Sequence, residues 1–265
     1  MSAISGGGQA VGRERSAYFA PPLPRLLAHR GLATDQAENT IAAFRAAVEA
    51  GATYVELDVH ASLDGEAIVA HDENLSRLLG RDDTIAGLSA AGLAGLDLGD
   101  GSGFATLVDV LAALPDTRIN IDIKSSAAAA PAAAAISAAS ATDRVLVTSF
   151  SGKRRRSALK LLPGVATSAS AGSFLVALLA AKIGLTPVVR LALRSIDAVQ
   201  VPVRAAGMTI VTPRVLRSIH AAGVEVHIWT INAPEEMTRL LDLGVDGIVT
   251  DRIDIALDLV AHRSQ

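Results

Sequence analysis

Eight short runs of apolar and β-branched residues, separated by helix-patterned or turn-rich segments, limit what this chain can fold into more than any other feature. The runs begin at Leu26, Tyr54, Arg118, Val145, Val165, Ala198, Glu225 and Gly247. Ile41, Phe44, Ala47 and Val48 form an apolar stripe at helical spacing, with Asn39 or Thr40 as its cap and Gly51 as its stop. Further helical patterns cover Thr106–Leu114, Ala127–Ala141, Lys153–Leu162, Thr212–Ala222, Pro234–Leu243 and Ile253–Val260. Strand, helix, strand with short joints is a βαβ unit, and eight of them predict an α/β chain closed as a TIM (βα)8 barrel. Asp72–Ala105 lacks a clean period and reads as a small insertion after the second strand.

The second run carries chemistry. In Tyr54–Val59, Glu56 and Asp58 share one face of the strand, while Val55, Leu57 and Val59 share the other. Two carboxylates on a strand with an apolar back repel each other, and burying them uncompensated is costly. A hard cation held by oxygens is one answer. Asp64-Gly65 then turns the chain back through Ala67–Ala70 to His71-Asp72, which returns a histidine near the acids. Alone, the stretch also fits a solvated acidic strand with a surface histidine. Arg118–Lys124 repeats the design, with Asn120, Asp122 and Lys124 on one face. In such barrels functional residues gather at the C-terminal strand ends. His29, Arg30, Glu56, Asp58, Asp122, Lys124 and Trp229 all fall there, which favours a site.

Composition removes several rivals. The 24 Lys and Arg against 27 Asp and Glu imply no broad basic surface for nucleic acid. Without cysteine there is no disulfide, thiolate ligand or cysteine nucleophile, which agrees with a reducing, cytoplasmic setting. No Gly-X-Ser-X-Gly elbow and no P-loop occurs. Residues 1–24, rich in Gly, Ser and Pro without a signal peptide's apolar core, read as a flexible tail, and residues 25–265 as one domain.

The ordered set His29-Arg30-Gly31, Glu38-Asn39-Thr40, Glu56-Leu57-Asp58-Val59, Asp64-Gly65, His71-Asp72, Ile121-Asp122-Ile123-Lys124, Trp229-Thr230-Ile231-Asn232 and Gly247-Ile248-Val249-Thr250-Asp251 resembles the glycerophosphodiester phosphodiesterase family. The resemblance runs from Leu26 to the C-terminus. It implies one divalent cation, Mg²⁺ or Ca²⁺, held by Glu56, Asp58 and Asp122. It implies His29 and His71 as the acid–base pair, Arg30 and Lys124 on the phosphate oxygens, and the substrate's neighbouring hydroxyl as first nucleophile. The family usually places Glu where this chain has Asp122, so the ligand is one methylene short. The expected reaction is metal-dependent hydrolysis of a glycerophosphodiester to glycerol phosphate and an alcohol. The charge demands agree: a cation with fixed Arg and Lys donors stabilises a phosphoryl transition state, and two histidines move protons at neutral pH.

Other residues have plainer alternatives. Trp229 is expected to wall the substrate's apolar part, with core packing as the alternative, and Glu38 to support Arg30 or the metal shell, with a favourable helix-end charge as its alternative. His60 shares the Glu56 and Asp58 face, His220 reads as a surface residue, and His227 as packed or hydrogen-bonded. Phe174–Leu193 is too short and interrupted to span a bilayer. It fits either a buried barrel helix or a helical flap that meets a membrane or an acyl chain, which opens a second substrate class, a lysophospholipid, as in the family's lysophospholipase D branch. A rival of another class is a catalytically silent barrel that binds a phosphodiester or a membrane. The oligomeric state is not legible.

Overall fold

The strands of the computed structural model, which describes residues 16–205 and 207–263, are β1 (Arg25–His29), β2 (Tyr54–Ala61), β3 (Ala67–Val69), β4 (Arg118–Ile123), β5 (Val145–Thr148), β6 (Ala166–Thr167), β7 (Ala198–Val201), β8 (Arg204–Ala205), β9 (Met208–Thr209), β10 (Glu225–Ile228) and β11 (Gly247–Thr250). The helices are α1 (Ile41–Glu49), α2 (Ser76–Leu79), α3 (Ala90–Ala94), α4 (Leu107–Ala113), α5 (Ala129–Ala138), α6 (Gly152–Leu159), α7 (Ala171–Ile183), α8 (Thr186–Ala192), α9 (Pro213–His220), α10 (Pro234–Leu243) and α11 (Ile253–Arg263). Eight strands pair in the order β6-β5-β4-β2-β1-β11-β10-β7, every step parallel. A parallel bridge from Ser168 to Ala198 joins the two ends and closes the barrel. The eight strands are those read from the sequence.

Alternation along each strand decides what lies inside. Ile119, Ile121 and Ile123 turn outward to a shell of apolar helix residues, while Asn120 and Asp122 turn inward. The interior is stratified. At the N-terminal end Arg25, fully buried, donates to Glu225 at 2.6 and 2.7 Å and to the Tyr54 hydroxyl at 2.8 Å. Leu27, Tyr54, Leu146, Ala198 and Val249 fill the middle. At the C-terminal end the register sets His29 beside Glu56, Glu56 beside Asn120, and Asp58 beside Asp122.

Three expectations change. The flexible tail does not extend to Pro24: Tyr18 and Phe19 are buried against Leu27 and Tyr54, because the barrel floor leaves apolar surface that two aromatic rings cover. Residues 1–15 lie outside the described residues. The run Val165–Ser170 shortens to a two-residue strand. Phe174–Leu193 is two helices rather than one piece, since Gly184 ends α7 in the left-handed conformation and Pro187 opens α8.

The insertion builds a satellite core of its own. Leu75, Ile85, Leu93 and Phe104 pack on Ile68 and Ala70, which fixes the segment carrying His71. At the other histidine, Gly31 at φ +89° permits a close approach: a Cβ there would lie 2.6 Å from the Ala43 carbonyl carbon. Helix α1 therefore abuts the end of β1.

Candidate active site

Residues of β1, β2, β4, β5, β7 and β11, with Trp229 just past the end of β10, converge on a cavity of about 580 Å³ at the C-terminal mouth. His29, Arg30, Glu56, Asp58, His71, Asp122, Lys124 and Trp229 all line it, so eight of the nine site residues expected from the sequence meet in one place. The ninth, Glu38, stands behind: its Oε1 accepts from Nη1 of Arg30 at 2.9 Å and from Arg77. The opposite wall is apolar, formed by Phe150, Phe174, Leu175, Leu178, Met208 and Ile210. Trp229 lines the cavity with its ring edge-on to Phe150 at 5.9 Å and also packs on the inner core.

Both histidines are held alike. Nδ1 of His29 lies 2.6 Å from Oδ1 of Asp251, and Nδ1 of His71 lies 2.7 Å from Oδ1 of Asp72. A carboxylate on Nδ1 fixes the ring and leaves Nε2 for chemistry. Asn232 donates to the other oxygen of Asp251 at 2.7 Å, and Arg77 to the other oxygen of Asp72. Burial works against a charged His29, but the Asp251 hydrogen bond and the Glu56 charge outweigh it and raise its pKa. Buried His60 contacts the His71 carbonyl through Nε2 at 3.1 Å, so it supports the histidine segment rather than the acids. His220 pairs with Asp246 at 2.7 Å, and His227 is fully buried against Glu225.

The acids form an unequal set. Asp58 receives Lys124 Nζ at 2.8 Å and Asn39 Nδ2 at 3.2 Å, with Arg30 Nε at 3.3 Å. Asp122 shares the same ammonium through Oδ2 at 2.8 Å. Burial opposes the charge of Lys124, yet the two carboxylates outweigh it and raise its pKa. Glu56 is held less closely, with Oε2 3.9 Å from His29 Nε2, and burial, then the Asp58 charge, pushes its carboxyl up to about 8. Burial also raises Asp122. Oε2 of Glu56, Oδ1 of Asp122 and Oδ1 of Asn120 are buried without a hydrogen-bond partner among the described residues. Buried, unsatisfied oxygens of this kind suit a hard cation, and the donor set fits Mg²⁺ or Ca²⁺. Among the described residues no three acids or imidazoles close to ligand spacing, and Lys124 stands between two of the candidates.

Asp251, Asn232, Asp72, Asn120 and Gln200 carry no individual role in the sequence reading, and Asn39 is read there only as a helix-cap candidate. Asp251 and Asp72 were findable, since both end strands or hairpins beside a named histidine. Asn39 was not, because its contact with Asp58 depends on a left-handed backbone at φ +58°.

A family model described as the glycerophosphoryl diester phosphodiesterase family matches residues 29–255. The chain belongs to that family. A Mycobacterium tuberculosis protein named probable glycerophosphodiester phosphodiesterase 2 is 41% identical over 241 residues, 90% of this chain and 91% of that one. The barrel superposes with a TM-score of 0.76 on a phosphodiesterase of Oleispira antarctica solved with the product sn-glycerol-3-phosphate, at 23% identity, covering 93% of this chain and all of that one. A human lysophospholipase D, GDPD1, is 38% identical over 115 residues, 38% of this chain and 37% of that protein. The glycerophosphodiester phosphodiesterase resemblance and the barrel expected from the motifs are both borne out, and the chain is an enzyme of that family. No helix among the described residues is long and apolar enough to cross a membrane.

Proposed function

We propose that the enzyme hydrolyses a glycerophosphodiester to glycerol phosphate and an alcohol, with proton transfer by His29 and His71 and a bound divalent cation. One observation carries this reading: two histidines, each backed by a carboxylate on Nδ1, flank a cavity that also holds Arg30 and a buried set of acids. Glu56, Asp58 and Asp122 would hold the cation, which supplies Lewis-acid neutralisation of phosphoryl charge. Arg30, braced by Glu38, offers a forked contact to phosphate oxygens. Lys124 uses two donors on Asp58 and Asp122 and has a third for phosphate. One imidazole takes the proton of the substrate's neighbouring hydroxyl as it attacks phosphorus and the other protonates the departing alkoxide, leaving a cyclic phosphate. Water then opens that ring with the two proton-transfer roles exchanged, giving glycerol phosphate, each transfer contributing roughly 10²–10⁴-fold.

Choline release from glycerophosphocholine tests the reading, with EDTA, Mg²⁺ or Ca²⁺ in parallel. Turnover that EDTA abolishes and either metal restores is the expected result. A His29→Ala variant should lose about 10²–10⁴-fold in kcat with its melting temperature kept. Metal-dependent stabilisation without turnover on any diester would return the silent-barrel alternative.

The apolar wall favours a second reading, a lysophospholipid whose acyl chain lies along Phe150, Phe174 and Leu178, delivered from a lipid surface through the Phe174–Leu193 segment. Under it, Phe174→Ala raises KM for lysophosphatidylcholine and leaves glycerophosphocholine unchanged. An equal effect on both substrates would remove it.

A further inference from the structure

Charge is segregated along this chain in a way its net value of −3 conceals. From Arg144 to Val224 the sequence has twelve Lys and Arg and a single acid, Asp197, leaving twelve cations and 26 acids to the rest. That basic stretch supplies β5 through α9, one side of the barrel.

The same side carries an uncovered apolar helix. The start of α7, Ala171, lines the cavity, and its N–H donates to Phe150. At the far end Lys182 donates to the Thr209 carbonyl at 3.1 Å, and Gly184 lies beside the Arg214 guanidinium in the first turn of α9. Both ends of α7 are thus fixed to features of the mouth, and the helix runs along the rim. Helix α8 descends the barrel wall instead, with Arg190 reaching the Ala221 carbonyl beyond the end of α9. Val176, Leu179 and Ile183 on α7 and Leu191 on α8 are between half and three-quarters exposed. Phe150 and Leu175 are as exposed and also line the cavity, so the outer patch and the apolar wall of the site are continuous.

We propose that this rim docks on an anionic lipid surface, with α7 lying in the interface and the cavity opening toward the lipid beside Leu175 and Phe150. The proposal rests on the reading that the cavity takes a lipid-derived diester. An exposed apolar helix face flanked by cations without acids is the arrangement that lies on anionic bilayers. Long Lys and Arg side chains lay their stems on apolar surface and their charges among head groups. A second copy of the chain fits poorly, because a two-fold contact through this face would set the basic side against itself.

Flotation with vesicles of phosphatidylcholine alone, and with phosphatidylglycerol replacing part of it, tests the docking. The protein should float with the anionic vesicles only and be released at about 0.5 M salt, where screening acts within a few ångströms. Lys182→Gln, Arg204→Gln and Arg214→Gln, the cations beside the ends of α7 and the mouth strand whose Ala205 lines the cavity, should each lower partitioning about fivefold. The triple variant Val176→Gln, Leu179→Gln, Ile183→Gln on the exposed face of α7 should not float, yet melt as the parent does and turn over glycerophosphocholine at the parent rate. Equal flotation with neutral vesicles, or none with anionic ones, overturns the proposal. So does a lipid-free dimer that the triple variant dissociates, which would give the face to a second copy. A protein that floats as expected but hydrolyses no diester overturns the reaction assigned above and leaves the docking standing.

Discussion

Asp251 and Asp72 decide what the two histidines can do. Each turns an imidazole so that Nε2 faces the cavity, and Asp251 also stabilises the charged form of His29. Asp251→Asn keeps the volume and removes the charge, so kcat should fall by about 10²-fold through loss of alignment, with KM and melting temperature nearly unchanged. A loss confined to KM would assign Asp251 to substrate binding instead. At this scale much of the site was legible in the sequence, since strand alternation places Glu56 with Asp58 and Asn120 with Asp122. The capture of Lys124 by two carboxylates was not, because it depends on the lateral register that sets Asp58 opposite Asp122.

Elements were readable where their own side chains determine them and misread where a neighbour does. Helix α1 starts at Thr40, whose hydroxyl accepts from the Ala43 N–H, as its capping chemistry implies. The chain just before it is less local. Gly31 has no cap or period to mark it, yet α1 can approach β1 only because no Cβ is there. Gly31→Ala should cost about 1–3 kcal/mol by overpacking, with a further roughly 1–2 kcal/mol for its left-handed backbone, read as a fall in melting temperature. It should also lower activity, since Arg30 precedes it directly. The break between α7 and α8 was written in Gly184 and Pro187. That α7 follows the rim was not, because its path is set by Lys182 and Arg214 meeting residues of distant segments.

For the molecule as a whole, the barrel floor governs acid stability. Burial alone would raise the pKa of Glu225, but hydrogen bonds from His227 and Arg25 outweigh it and hold the carboxyl at about 2, against 4.5 when free. The unfolded chain therefore takes up this proton first as pH falls. The stabilisation is present above pH 4.5 and is lost toward pH 2. Denaturant melts between these limits should steepen with acid, and Glu225→Gln should flatten that slope. Glu225→Gln should also cost about 3–5 kcal/mol at neutral pH, because Arg25 then stays buried without its counter-charge. The eightfold pattern was legible from local periodicity. The floor was not, because Tyr18 and Phe19 sit in a stretch whose composition reads as tail and whose burial comes from strands far along the chain.

The barrel's closure is thin at one place. Strands β2 and β4 pair over six positions, whereas β6 and β7 meet through a single bridge between Ser168 and Ala198, flanked by bonds from Asp197 to Thr167 and from Ala169 to Ala198. At the other side of the wall, Leu23 and Pro24 share a hollow with Val260 and Arg263, so the entry to β1 and the end of α11 are neighbours. A circular permutant that joins the old ends by a short linker and opens the backbone between Arg194 and Ser195 would run its strands from one lip of this seam round to the other. Every remaining strand pairing would keep its register, and the permutant would retain the barrel while its seam amides exchange with solvent first.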